Sequence, residues 1–177
     1  MKTFYPKIAL LFLLIFSASL RAQENCTQFT VSSAALLNLR VGMAAEEVRN
    51  KLGTSLGIKT NKKGDYRFFQ NYIDKKPPAG LSGVRAFYLR FFEKKLYQAE
   101  IFFDEDKYPA DVKNFAEIIS AELSLPLAGW KFAHRQAVFS CGDISLEIDY
   151  QINPRIELTD EKVRKQVEEI NKKTKLF

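Results

Sequence analysis

Three side chains could act as a thiol nucleophile, a redox couple or an imidazole base: Cys26, Cys141 and His134. The two cysteines lack the C-x-x-C spacing of a redox-active pair, and they are too few to build a zinc site. His134 has no second histidine beside it and no G-x-S-x-G elbow to serve, so it reads as an exposed or core-satisfied residue rather than a base. Asp104, Glu105 and Asp106 have a faint look of a calcium loop, but Tyr108 and Pro109 stand where more oxygen ligands and a glycine are required. As solvated acids ahead of a helix they are better explained by its dipole. A hydrolase using Asp104, Asp106 or Glu100 would need two carboxylates at a set separation, which linear spacing does not supply. No cofactor motif and no metal-ligand set appears. The expectation is a non-catalytic protein, with no specific activity legible.

Residues 1–22 have the form of a secretory signal. Lys2 and Lys7 form a positive start, Ile8 to Phe16 is an unbroken apolar run, and Ser17 to Ala22 supplies small residues for cleavage after Ala22. The run is too short for a spanning helix, and no later stretch is long and apolar enough. Cys26 follows Gln23, Glu24 and Asn25, which is not a lipidation site. Removing residues 1–22 takes three basic side chains and no acid, lowering the formal charge from +6 to +3. The expected mature product, residues 23–177, is therefore periplasmic or secreted, without a transmembrane segment. In such an oxidising compartment the natural state of Cys26 and Cys141 is a disulfide. By chain entropy a loop on the order of 100 residues is worth up to ~4.7 kcal/mol.

The elements can be placed by periodicity. Leu37 to Val41 reads as extended, and a first helix follows with Val48 and Leu52 on one face, acids Glu46 and Glu47 in its first turn, and Gly53 at its end. Residues 54–65 read as a loop and Tyr66 to Ile73 as a strand. The clearest signal is two runs of period two, Val84 to Phe92 and Leu96 to Phe103, joined through Glu93-Lys94-Lys95. On the outward run Phe87, Leu89 and Phe91 alternate with Tyr88, Arg90 and Phe92. On the return, Tyr97, Ala99, Ile101 and Phe103 alternate with Gln98, Glu100 and Phe102. Pro109 opens a second helix, with Val112, Phe115, Ala116, Ile119 and Leu123 at helical spacing until Pro126. Residues 127–134 are ambiguous, with Trp130 and Phe132 expected to be buried. A second hairpin turns at Gly142-Asp143, where Ile144, Leu146, Ile148 and Tyr150 alternate with polar residues. A short strand over Pro154 to Leu158 precedes a last helix capped by Thr159, with Leu158 stapled to Val163. Helix and hairpin segments in this order predict an α+β fold, an antiparallel sheet built of hairpins with helices mainly on one face. There is no linker and no internal repeat, so residues 23–177 are expected to be one domain.

The stretch Leu39-Arg40-Val41-Gly42-Met43-Ala44-Ala45-Glu46-Glu47-Val48, ending Lys51-Leu52-Gly53, resembles the Gly-Met-[Ser/Thr]-x-x-x-Val-x-x-x-Leu-Gly opening of small exported domains. These are the outer-membrane SmpA/OmlA (BamE) type and the related β-lactamase-inhibitor-protein-like fold. Phe91-Phe92-Glu93-Lys94-Lys95-Leu96-Tyr97 resembles a hairpin that such domains carry. Here Ala44 replaces the usual capping hydroxyl, the proline after Leu-Gly is absent, and there is no lipobox. The resemblance covers about a tenth of the chain. It implies an exported α+β domain, and no binding residue of the family carries over.

Arginine and aromatic residues interleave at Arg67-Phe68-Phe69 and Arg90-Phe91-Phe92, a texture shared with nucleic-acid-binding sheets. Export argues against nucleic acid, and hairpin alternation accounts for it. Tyr88, Phe92 and Phe102 lie opposite the core face, where a one-sided sheet should be polar. Either they form an exposed partner-binding surface, or residues 127–134 or the N-terminal arm cover them. The leading expectation is an interaction domain for an extracytoplasmic protein or envelope component. A carrier of a small apolar ligand is the alternative. The lysine-rich end (Lys162 to Lys175) reads as a solvated helix face. For the cysteines, thiol titration of the unfolded, unreduced mature protein should find no free sulfhydryl; two would refute the cross-link.

Overall fold

The computed structural model describes residues 33–52, 59–60, 65–72, 77–108, 111–150 and 153–175. In chain order these form α1 (Ala45–Leu52), β1 (Lys59–Thr60), β2 (Asp65–Asn71), β3 (Val84–Phe92), β4 (Lys95–Phe103), α2 (Val112–Leu123), β5 (Trp130–Ala133), β6 (Gln136–Cys141), β7 (Ile144–Asp149), β8 (Arg155–Asp160) and α3 (Glu161–Lys175). The eight strands make one sheet in the order β1-β2-β3-β4-β8-β7-β6-β5, with every neighbouring pair antiparallel. The fold is α+β, as periodicity predicts. Residues 1–22 and Cys26 lie outside the described residues, so the signal segment and the cross-link stay expectations; Cys141, half-buried at the end of β6, is not a free thiol.

The strand order shows a repeat that the residues themselves do not. A helix followed by a four-strand meander occurs twice, α1 with β1 to β4 and α2 with β5 to β8. The two meanders run in opposite senses and meet where β4 pairs with β8. No sequence self-similarity betrays this, because the halves share a polarity pattern rather than residues.

One face carries the core. Rows of side chains cross the sheet in register: Leu89, Ala99, Leu158, Leu146 and Phe139 in one, Phe87, Ile101, Ile156, Ile148 and Ala137 in the next. All are at most 4% exposed. Helix α1 closes this face with Val48 and Leu52, and α2 with Phe115, Ala116, Ile119 and Leu123. Their apolar residues recur at three and four positions, so each helix presents one stripe to the sheet. Burial of that stripe is the main stabilising term, at roughly 25 cal/mol per Å² of apolar surface. At the far end Trp130 donates its indole N–H to the Ser120 hydroxyl at 2.7 Å and packs edge-on against Phe139.

Helix α3 takes a different seat. It contacts β4, β7 and β8, and its first residue, Glu161, accepts a hydrogen bond from the Ser145 hydroxyl. Ser145 alternates with the core residue Leu146, so α3 lies on the opposite face. Val167 and Tyr97 are buried yet stand outside the main core cluster, which marks a second, smaller apolar layer there.

Several local expectations shift, each for a physical reason. Leu37 to Val41 is not extended: residues 34–38 turn, with Leu37 and Asn38 at φ 53° and 57°, and this delivers Leu36 and Leu39 into the core. Residues 54–65 hold a two-residue strand, β1. Helix α2 is capped at Asp111, whose carboxylate accepts from the Lys113 and Asn114 amides, two residues past Pro109. The cap of α3 is Asp160, which accepts from the Val163 amide; Thr159, 1% exposed, remains inside β8, and Leu158 packs in the core instead of stapling the helix. Trp130 is buried as expected, but Phe132 is 48% exposed on β5. In β4 the alternation slips: Arg90 pairs with Gln98 and Phe91 with Leu96, which leaves Tyr97 as a bulge. Leu96 and Ala99 both face the core, and Tyr97 turns the other way to meet Arg90.

The β3–β4 turn consists of Glu93 and Lys94, both left-handed at φ 48° and 65°. That is the twist-matched two-residue hairpin, which asparagine and glycine normally fill. A non-glycine residue in this region carries a cost of about 1 kcal/mol. Lys94→Gly should therefore raise unfolding stability by about 1 kcal/mol in urea titration; an unchanged or lower midpoint would mean that the lysine side chain contributes more than its backbone costs.

Candidate functional site

Of the two sheet faces, the one away from α1 and α2 holds the chemically distinctive residues. Strand alternation puts every second side chain of β2, β3, β4, β8 and β7 on it, and register aligns them into rows. One row runs Phe69, Tyr88, Glu100, Glu157, Glu147 and Val138 from β2 to β6. The adjacent row places Phe102 beside Arg155 and Arg155 beside Asp149. Three glutamates thus stand directly opposite one another across β4, β8 and β7, an arrangement that repels.

Arg155 holds them. Its guanidinium donates to Glu100 and Glu147 at 2.6 Å each and to Asp149 at 3.3 Å, with Glu157 at 3.6 Å. The five side chains are between 11% and 31% exposed, so water screens them only partly. Gln98 and Thr159 both donate to Glu157, and Gln136 donates to Asp149. Burial would weaken the charge on Arg155, but its carboxylate neighbours, Glu100 foremost, hold its pKa above the ordinary arginine value. Glu147 goes the other way: burial, aided by Glu157 and Asp149, lifts its carboxyl above the usual range despite the pull of Arg155.

The aromatic half adjoins this cluster. Phe69 is 57% exposed and its ring lies 6.4 Å from that of Tyr88. The Arg90 guanidinium sits 4.9 Å from the centre of the Tyr88 ring, a cation–π distance, and also engages Tyr97. The three residues singled out by alternation, Tyr88, Phe92 and Phe102, are each half-buried on this face. Tyr88 and Phe102 are diagonal neighbours flanking Glu100, whereas Phe92 lies four residues along β3, at the hairpin end. Residues 127–134 do not cover them: β5 forms the far edge of the sheet. The N-terminal arm lies outside the described residues. Sequence reasoning missed Phe69, although its alternation with Phe68 was readable. It also missed the acidic cluster, which exists only once the order β4-β8-β7 is known.

The other expected groups are dispersed. Glu100 is engaged by Arg155, while Asp104, Glu105 and Asp106 stand exposed in the turn after β4. His134 is exposed at the β5–β6 turn. Among the described residues no group of three or more His, Cys, Asp or Glu could hold a metal ion, and no helix is long and apolar enough to cross a membrane. A cavity of about 520 Å³ lies between α3 and the β6–β7 hairpin, lined by Ser140, Asp143, Ser145, Glu161, Lys165 and Glu169 among others. Its lining residues are mostly polar or charged in type, while the surface they present is polar and apolar in about equal parts. Beside it Glu161 is held below the ordinary carboxylate range: burial would raise it, but the Ser145 hydroxyl and Arg164 outweigh that.

No family model and no curated protein matches the chain. Among solved structures it is similar to an extracellular protein containing a SCP domain from Bacillus anthracis, with a TM-score of 0.41 and 14% identity over 75% of this chain. The match spans 48% of that protein's length. A likeness at this level transfers no function.

An acid whose native pKa exceeds its unfolded value destabilises the fold as pH rises. The effect is absent well below the unfolded value of about 4.3, grows towards the native value, and is constant above it. Glu147→Gln should match the parent at low pH and gain on it as pH rises through that interval, although the change deletes a 2.6 Å ion pair. Urea midpoints across a pH series read this directly; a variant that falls behind with rising pH would show that Arg155 outweighs burial.

Proposed function

We propose that the protein is an exported, non-catalytic interaction domain that holds an extracytoplasmic protein or envelope component on the open face of its sheet. The observation that carries this reading is the set of aromatic side chains opposite the core, three of them half-buried and one exposed. Tyr88, Phe92 and Phe102 stand there with Phe69, 57% exposed, on the face where α3 contacts β4, β7 and β8 but not the aromatic strands β2 and β3 to the same extent. Tyrosine and phenylalanine in such a patch supply large contact area at low entropic cost, the composition favoured at interface centres. The apolar start of residues 1–22 supports export. The short resemblance around Gly42-Met43 to exported SmpA/OmlA (BamE)-type and β-lactamase-inhibitor-protein-like domains points the same way. Glu100, one of the three acids that the sequence offers to a hydrolase, is hydrogen-bonded to Arg155.

The test is a comparison of pull-downs from the host's extracytoplasmic fraction. Substituting Tyr88, Phe92 and Phe102 together by serine should abolish capture of partners that the parent retains. Far-ultraviolet circular dichroism and the urea midpoint should stay close to the parent, because none of the three belongs to the core. Unfolding of the variant, or undiminished capture by it, would remove the open face as the interface.

A further inference from the structure

The chemistry of the partner is written into the same face. Phe69, Tyr88 and Phe102 border Glu100, Glu147 and Glu157, three carboxylates gathered on the one guanidinium of Arg155, which leaves two more negative charges than positive among these four. This surplus runs against the character of the chain, which carries 27 basic and 21 acidic side chains. Arg90, the cation that β3 brings to this face, is stacked on Tyr88 and linked to Tyr97, so it is committed elsewhere. Gln98 is 6% exposed, gives its amide N–H to Glu157, and leaves its Oε1 buried without a partner among the described residues. What the cluster lacks is donors and positive charge.

We propose that the open face receives a cationic segment of another protein, with lysine or arginine side chains directed at Glu100, Glu147 and Glu157 and apolar neighbours laid against Tyr88, Phe102 and Phe69. This rests on the reading of the face as an interface and adds the sign of the partner. An incoming ammonium or guanidinium meets carboxylates already drawn together and partly desolvated, so part of the electrostatic and desolvation cost of the site is met before binding. The aromatic rings give the long basic side chains a surface for their methylene stems and a π-face for their charge. Charge complementarity of this kind sets on-rate and selectivity, so the association should be steeply salt-dependent.

The test uses the mature full-length chain and two capped peptides, one of alternating lysine and leucine, the other of alternating glutamate and leucine. Two-dimensional NMR titration should show amide shifts confined to β2, β3, β4, β7 and β8 with the lysine peptide only, weakening as salt rises from about 0.05 to 0.5 M. Glu100→Gln and Glu147→Gln, which keep shape and remove charge, should each weaken binding about fivefold, and Glu147→Asp should restore it in part. Equal binding of the glutamate peptide, or shifts mapping away from these strands, would overturn the proposal. If serine at Tyr88 and Phe102 abolishes binding while the glutamine variants do not, the face is an interface but not for a cation. If neither set matters, both readings fall. A peptide-free protein that sediments as a dimer, and that Glu147→Gln converts to monomer, would identify a second copy as the occupant and likewise overturn it.

Discussion

The pairing of β4 with β8 is the constraint from which the rest follows. It joins two meanders into one sheet, and its register is dictated from beneath, where Ala99 meets Leu158 and Ile101 meets Ile156 in the core. A slip of one residue would turn both β8 side chains outward and expose them to water. With that register imposed, the upper face has no freedom. Glu100 must stand opposite Glu157, and Glu157 opposite Glu147. Arg155 lies one row away on β8, within reach of all three and of Asp149. The acidic cluster is therefore the cost of an apolar register on the other side of the same strands, moderated by one well-placed guanidinium.

The fold was legible wherever a periodic pattern acts alone. The β3–β4 and β6–β7 hairpins, the stripe of α2 and the turn at Gly142 follow from alternation and spacing without tertiary information. Signals failed where one residue breaks the period. The bulge at Tyr97 leaves no trace in composition, yet it reverses that side chain from the expected core to the arginine face. Thr159 and Asp160 are both good capping residues, and the choice between them was made by β8, which needs one more residue of strand. Strand β5 is four residues of mixed character, and its neighbours identify it more clearly than its own sequence does.

The candidate site was half legible for a related reason. Tyr88, Phe92 and Phe102 could be assigned to the outer face because they belong to one hairpin, whose pairing is local. The acids Glu100, Glu147, Asp149 and Glu157 come from strands that become neighbours only when the second meander folds back against the first. Nothing in the spacing of residues 100, 147 and 157 announces a cluster. Helix α3 adds to this face a buried layer around Tyr97 and Val167 and contacts β4, β7 and β8, the strands that also carry the acids, while Phe69 on β2 stays exposed.

The sheet does not close, and its two rims have a consequence of their own. A long, flat outer strand is a template for adding further chains, the route to aggregation. Among the described residues the rims are the shortest strands, two residues in β1 and four in β5, so each offers few backbone amides of its own. The rim strand β5 also carries an exposed lysine, Lys131. Along β1 and β5 an added strand therefore finds few amides to pair with, which limits growth of the sheet at those two rims.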